Sequence, residues 1–121
     1  MVEIEFVQDK LVLHIKGFDK VLAFKSTIEV PLSHVTSVEL GVDRAAWDEM
    51  RSKLHRPMTG SITQHLVAGT FDVHGASVFW DVHDVDKAIT IGIDHEKLSK
   101  LFIEVADPSS AASAIRSKMR K

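Results

Sequence analysis

Cysteine is absent from this chain of 121 residues. That absence excludes disulfides, thiolate nucleophiles, cysteine-ligated zinc and iron–sulfur clusters together. It fits a reducing compartment. Tyrosine is absent too, so there is no phenolic acid. No apolar run approaches the ~18 residues that a membrane span needs. The opening MVEIEFVQDK has neither the basic n-region nor the apolar h-region of a secretory signal. The expectation is a soluble, cytoplasmic protein with no integral membrane segment. Surplus positive charge is also lacking: Lys and Arg number 15 against 17 Asp and Glu, for a net charge of −2. Phosphate backbones are bound by surplus positive charge, so nucleic acid is not an expected partner.

Catalytic signatures are missing as well. The chain has no G-x-S-x-G, no glycine-rich phosphate loop and no H-E-x-x-H. The reading is non-enzymatic, with no cofactor. An acid–base pair assembled from distant carboxylates stays open, because convergence in space is not written in sequence.

What the chain does have is period-two alternation. Val2, Ile4 and Phe6 alternate with Glu3 and Glu5, and Leu11, Leu13 and Ile15 with Val12, His14 and Lys16. Both read as half-buried strands. Gly17 to Lys20 break the run, Ser26 to Val30 form a third strand closed by Pro31, and His34 to Leu40 form a fourth. From Asp43 to His55 the spacing of Ala46, Trp47, Met50 and Leu54 turns helical. Pro57 and Gly60 end this short insert. Strands return at Leu66 to Val73, Ala76 to His83, Ala88 to Ile93 and Leu101 to Val105, making about eight in all. Asp107 as N-cap and Pro108 at the first helical position then start a C-terminal helix, with Ala111, Ala112, Ile115 and Met119 on one face. At this length, one domain spans residues 1–121.

The stretch FWDVHD, Phe79 to Asp84, packs two aromatics, two carboxylates and a histidine into six residues. A two-residue turn at His74-Gly75 sets Val73 opposite Ala76, Phe71 opposite Val78 and Gly69 opposite Trp80. A four-residue turn from Asp84 to Lys87 would set His83 opposite Ala88, Trp80 opposite Ile91 and Val82 opposite Ile89. Trp80 and Val82 then point into the core, with Ile89, Ile91 and Ile93 on their face, while Asp81 and His83 point to solvent. Phe79 falls on the polar face and needs a cover, from the Trp47 insert, another subunit or a ligand. His65, His83 and Asp84 reach one sheet end. They are weak candidates for a divalent metal, and Asp turn chemistry is the default there.

The segment GTFDVHGASVFWDVHDVDKAITIGI, followed by LFIEVADPSSAASAI, resembles a group of small uncharacterised bacterial proteins with a pleckstrin-homology-like fold. The resemblance runs from about Leu66 to Ile115, with a looser echo in DKVLAFKSTIEVPLSHV. It implies a mainly β (α+β) chain: a small antiparallel barrel of two orthogonal sheets, a short helical insert and a C-terminal capping helix. It implies binding of peptides, lipids or further copies of the chain, and no catalytic residues. The chain departs from lipid-binding members in its very short Val7 to Lys10 turn, and in Lys10, Lys16, Lys20 and Lys25 alternating with acids.

Three functions compete. The first is a protein-interaction or self-association module, a homo-oligomer or a binder of another protein, with Trp47, Met50, Leu54 and Phe79 at its interface. The second is contact with an anionic membrane surface or phosphorylated ligand through Lys16, Lys20, Lys25, Arg116, Lys118 and Arg120. The third is a divalent-metal-dependent enzyme using His65, His83 and Asp84.

Overall fold

Alternation builds both sheets, and a computed structural model shows how they meet. It describes residues 1–17, 26–52, 57–62, 66–73 and 75–119, with 49–52 and 57–62 as backbone only. Strands β1 (Val2–Val7), β2 (Lys10–Ile15) and β3 (Thr27–Pro31) form a three-stranded sheet in that order. The β1–β2 turn is two residues long, with Val7 opposite Lys10 and Gln8 at a positive φ of 57°. Val2, Leu11, Leu13, Ile15, Ile28 and Val30 face inward and are buried. On the outer face the charges pair across strands: Lys16 with Glu3 at 3.5 Å, His14 with Glu5 at 2.8 Å and Lys10 with Glu29 at 3.7 Å.

The second sheet holds β4 (Val35–Leu40), β5 (Pro57–Ile62), β6 (Val67–Val73), β7 (Ala76–Val82), β8 (Ala88–Ile93) and β9 (Leu98–Glu104), in the order β4-β8-β9-β7-β6-β5. Helix α1 (Arg44–Ser52) follows β4, and α2 (Pro108–Met119) closes the described chain. The architecture is mainly β, with two sheets and a C-terminal helix, and neither sheet closes on itself.

Two sequence expectations need correction. Pro57 and Gly60 do not end the insert; they lie in the edge strand β5. Proline is tolerated as the first residue of an edge strand, where its missing N–H breaks no ladder. The β6–β7 register is the expected one, with Gly69 opposite Trp80 and Phe71 opposite Val78. Gly69 has a φ of +133°, a backbone reserved for glycine. The expected β7–β8 hairpin does not form. Instead β9 lies between them, parallel to β7 (Phe79 opposite Leu101) and antiparallel to β8 (Ile91 opposite Leu101).

That inserted strand reassigns the faces. Val78, Trp80 and Val82 share one face with Phe102 and Ala88, under Trp47 of α1. Ile89, Ile91 and Ile93 lie on the other face with Phe79, Leu101 and Ile103, under the small sheet and α2. The large sheet is therefore covered on both sides, and its second face is a core, not a solvated surface.

The two edges of the small sheet lie near opposite ends of the large one. The β1 edge lies beside Val105 at the end of β9 and beside Ser110, Ala111 and Ala114 of α2. The β3 edge lies beside Ile93, Leu98, Ser77 and Thr70, where β8 ends and β7 and β9 begin. At the β1 end α2 buries Ala111, Ala112 and Ile115 in the core. Its Arg116 donates from Nη2 to the Val38 carbonyl of edge strand β4 at 2.6 Å. Asp107 caps its start, accepting from the Ser110 backbone N–H at 3.1 Å and the Ser110 hydroxyl at 3.0 Å. Those hydrogen bonds hold the Asp107 carboxyl below the usual carboxylate range.

Candidate functional site

Each end keeps a cleft: one of about 380 Å³ between β1 and α2, and one of about 310 Å³ beside β3, whose lining is the more polar. The second is the candidate site. Its walls mix apolar Ile28, Val30, Ile93 and Leu98 with polar Thr27, Thr70, Ser77, Glu96 and Lys97. The volume is at the small end of the range for ligand pockets. A further polar element is the backbone of β3 itself. The Ile15 N–H donates to the Ser26 carbonyl and the Leu32 N–H to the Asp9 carbonyl, so these two pairs lie in hydrogen-bonded register. Alternation along an antiparallel ladder then turns the backbone groups of Ile28 and Val30 toward β2, and those of Thr27 and Glu29 away from it. Among the described residues no strand pairs with that outer side. Pro31 adds a carbonyl there but no N–H.

The cleft wall at Glu96 to Leu98 belongs to the β8–β9 turn, which is tied to the one-turn 3₁₀ segment Leu32–His34 before β4. The Asp94 N–H donates to the His34 carbonyl at 2.8 Å. His34 Nδ1 lies 2.6 Å from Glu96 Oε2. The His95 ring lies 5.5 Å from that of His34, and its Nε2 is 3.5 Å from Asp94 Oδ2. His95 has a φ of +61°, the left-handed region that non-glycine residues adopt at a cost. The sequence reading missed this cluster. His34 and Glu96 are 62 residues apart, and no local spacing announces their contact.

The sequence candidates fall elsewhere. Phe79 is fully buried in the core between the two sheets, so its cover is the chain's own small sheet and it offers no interface. Trp47 is 8% exposed and packs its ring 5.9 Å from that of Trp80, which stacks on Phe102 at 4.0 Å. It too is core, because the second face of the large sheet gives α1 something to cover. Met50 lies on α1, with its side chain outside the description, and Leu54 lies outside the described residues.

Asp81, expected in solvent, is 0% exposed, and its Oδ2 lies 3.3 Å from the α-ammonium of Met1. A buried carboxylate needs such a countercharge. His83 and Asp84 are held through their backbone. Both backbone N–H groups donate to Oε1 of buried Glu104, at 2.7 and 2.9 Å, and Asp84 Oδ1 accepts from the Asp86 N–H at 2.9 Å. FWDVHD is thus a strand running into a turn that Glu104 clamps. His65 lies outside the described residues, and no group of three ligating side chains among the described residues could hold a metal ion.

The basic candidates are dispersed. Lys16 pairs with Glu3, Arg116 serves the Val38 carbonyl, and Lys118 sits 5.7 Å over the Phe6 ring. Lys20, Lys25 and Arg120 lie outside the described residues. No helix of the described residues is long and apolar enough to cross a membrane. Comparison with family models, curated proteins and solved structures finds no match to this chain.

Proposed function

We propose that this chain is a non-enzymatic interaction module of pleckstrin-homology-like design, taking an extended partner segment into the cleft beside β3. One observation carries the reading. Helix α2 packs on the β4 edge, and among the described residues β3 keeps outward backbone groups over a polar-and-apolar cleft. An unpaired edge is a ready template for another strand, and proteins that do not use one usually cover it. Two packed sheets with a C-terminal helix suit the fold resemblance; the parallel β7–β9 pair and the open sheets depart from a simple closed barrel.

The test is selection of binders to the whole chain from a displayed library of extended peptides, followed by amide-shift mapping of a selected peptide. The expected footprint covers Thr27, Glu29, Ser77 and Leu98, and Glu29→Pro abolishes binding by removing an outward N–H. A footprint confined to α1 or to the outer face of the small sheet overturns the reading. Light scattering separates the two sources of such a segment: a second copy gives a defined oligomer, and a foreign partner leaves a monomer.

A further inference from the structure

We infer that the partner of the β3 edge is an extended segment of another protein that carries a basic residue between two apolar ones. This rests on the cleft being the binding site, and deepens that reading by giving the partner its chemistry. The small sheet is charged strand by strand. On its outer face β1 presents Glu3 and Glu5, β2 presents Lys10, His14 and Lys16, and β3 presents Glu29, each paired with a side chain of the neighbouring strand. The order is acid, base, acid. Among the described residues β3 is the last strand of this sheet, so Glu29 has a neighbouring strand on one side only. A strand added there continues the order by placing a cation beside Glu29. Opposite charges on adjacent strands stabilise the pair, and like charges directly opposite destabilise it.

Alternation sets what flanks that cation. The backbone groups of β3 that point away from β2 belong to Thr27 and Glu29, so an incoming strand bonds to these. The residue opposite Glu29 sends its side chain to the same outer face. The residues before and after it turn to the inner face, beside buried Ile28 and Val30, where Ile93 and Leu98 add apolar wall. Pro31 offers only a carbonyl, which makes Glu29 the last residue of β3 to offer both outward groups.

The other charges at the cleft leave this requirement in place. Glu96 Oε2 lies 2.6 Å from His34 Nδ1, and Lys97 follows it on the same turn. The lining stays acidic, with Glu29 and Glu96 against Lys97. A second copy of the chain does not supply the cation through its own β3. Laid antiparallel on another β3, Glu29 meets either Thr27 or Glu29 of that copy, because those residues carry the outward groups. The charge pattern therefore favours a foreign segment over self-pairing at this edge.

The experiment selects binders to the whole chain from a displayed peptide library in which acidic and basic residues are equally represented. Peptides whose amide footprint covers Thr27, Glu29 and Leu98 are expected to share a Lys or Arg between two apolar residues. Replacing that cation by Glu should weaken binding about fivefold. Glu29→Lys on the chain should reverse the preference, so that the Glu-substituted peptide binds better. Should Glu29→Lys fail to fold, Glu29→Gln is the milder change at this exposed site and should abolish the preference without reversing it. The preference should also shrink at high salt, which screens exposed charges. Cleft-bound peptides with no shared cation, or a preference that survives Glu29→Gln, overturn the inference and leave the cleft reading standing. A defined oligomer of the free chain that Glu29→Pro breaks overturns it too, since the occupant is then a second copy. Absence of any cleft footprint removes both readings.

Discussion

The two ends of this molecule treat their strand edges in opposite ways. At one end α2 lies against β4, fills the core with Ala111, Ala112 and Ile115, and hydrogen-bonds a β4 carbonyl through Arg116. At the other end β3 borders a cleft, and the nearest turn is held by two hydrogen bonds to the His34 residue. The first arrangement is what a chain does to keep an edge from pairing. The second leaves an edge unpaired among the described residues, beside a cleft.

Substitutions test that contrast. Ile115→Ala at the closed end empties a fully buried site, and urea denaturation should show a loss of about 3 kcal/mol. Arg116→Ala leaves the Val38 carbonyl without its charged donor and should cost about 1.5 kcal/mol. It should also raise the solution mass with concentration, since the β4 edge is then bare; unchanged mass would mean that α2 protects the edge by bulk alone. Leu98→Ala at the open end removes a half-buried side chain and should cost less than about 1 kcal/mol, while weakening any peptide that uses the cleft. If Leu98→Ala destabilises as much as Ile115→Ala, the two ends are not distinct.

The smallest effect is on pH. The Asp107 carboxyl is held below its ordinary value of 3.8 in the folded chain. Its contribution is therefore present above that value and lost as acid carries the pH down through its folded value. Amide shifts of Ser109 to Ala112 should report fraying of the first turn of α2 in that window, and Asp107→Asn should not show it.

Much of the architecture was legible from short-range pattern. The Gln8-Asp9 turn, the β6–β7 register and the Asp107-Pro108 helix start all rest on residues within a few positions of each other. The failures around β7 and β8 share one cause. Placing β9 between β7 and β8 requires a strand that comes later in the chain, and nothing in Asp84 to Lys87 foretells it. That single omission put Ile89, Ile91 and Ile93 on the wrong face. It left Phe79 and Asp81 seeming to look outward, and made Trp47 look surplus to the fold. The candidate site was invisible for a related reason: its parts come from β3, the turn before β4, and the β8–β9 turn, which only the tertiary fold brings together.

The placement of β9 also orders events during synthesis. Until residues 98–104 have emerged, the large sheet exists only as two pieces, a β5-β6-β7 meander and a β4-β8 pair, with no ladder between them. Each piece carries a bare inner edge and part of the future core. A chain made N-terminus first must therefore hold most of its length in a sticky, half-paired form before one strand joins the halves. Helix α2 follows that strand directly, so closing the sheet and covering its β4 edge come as consecutive steps. A pause just before residue 98 would thus expose this chain to misassembly far more than one in its first forty residues.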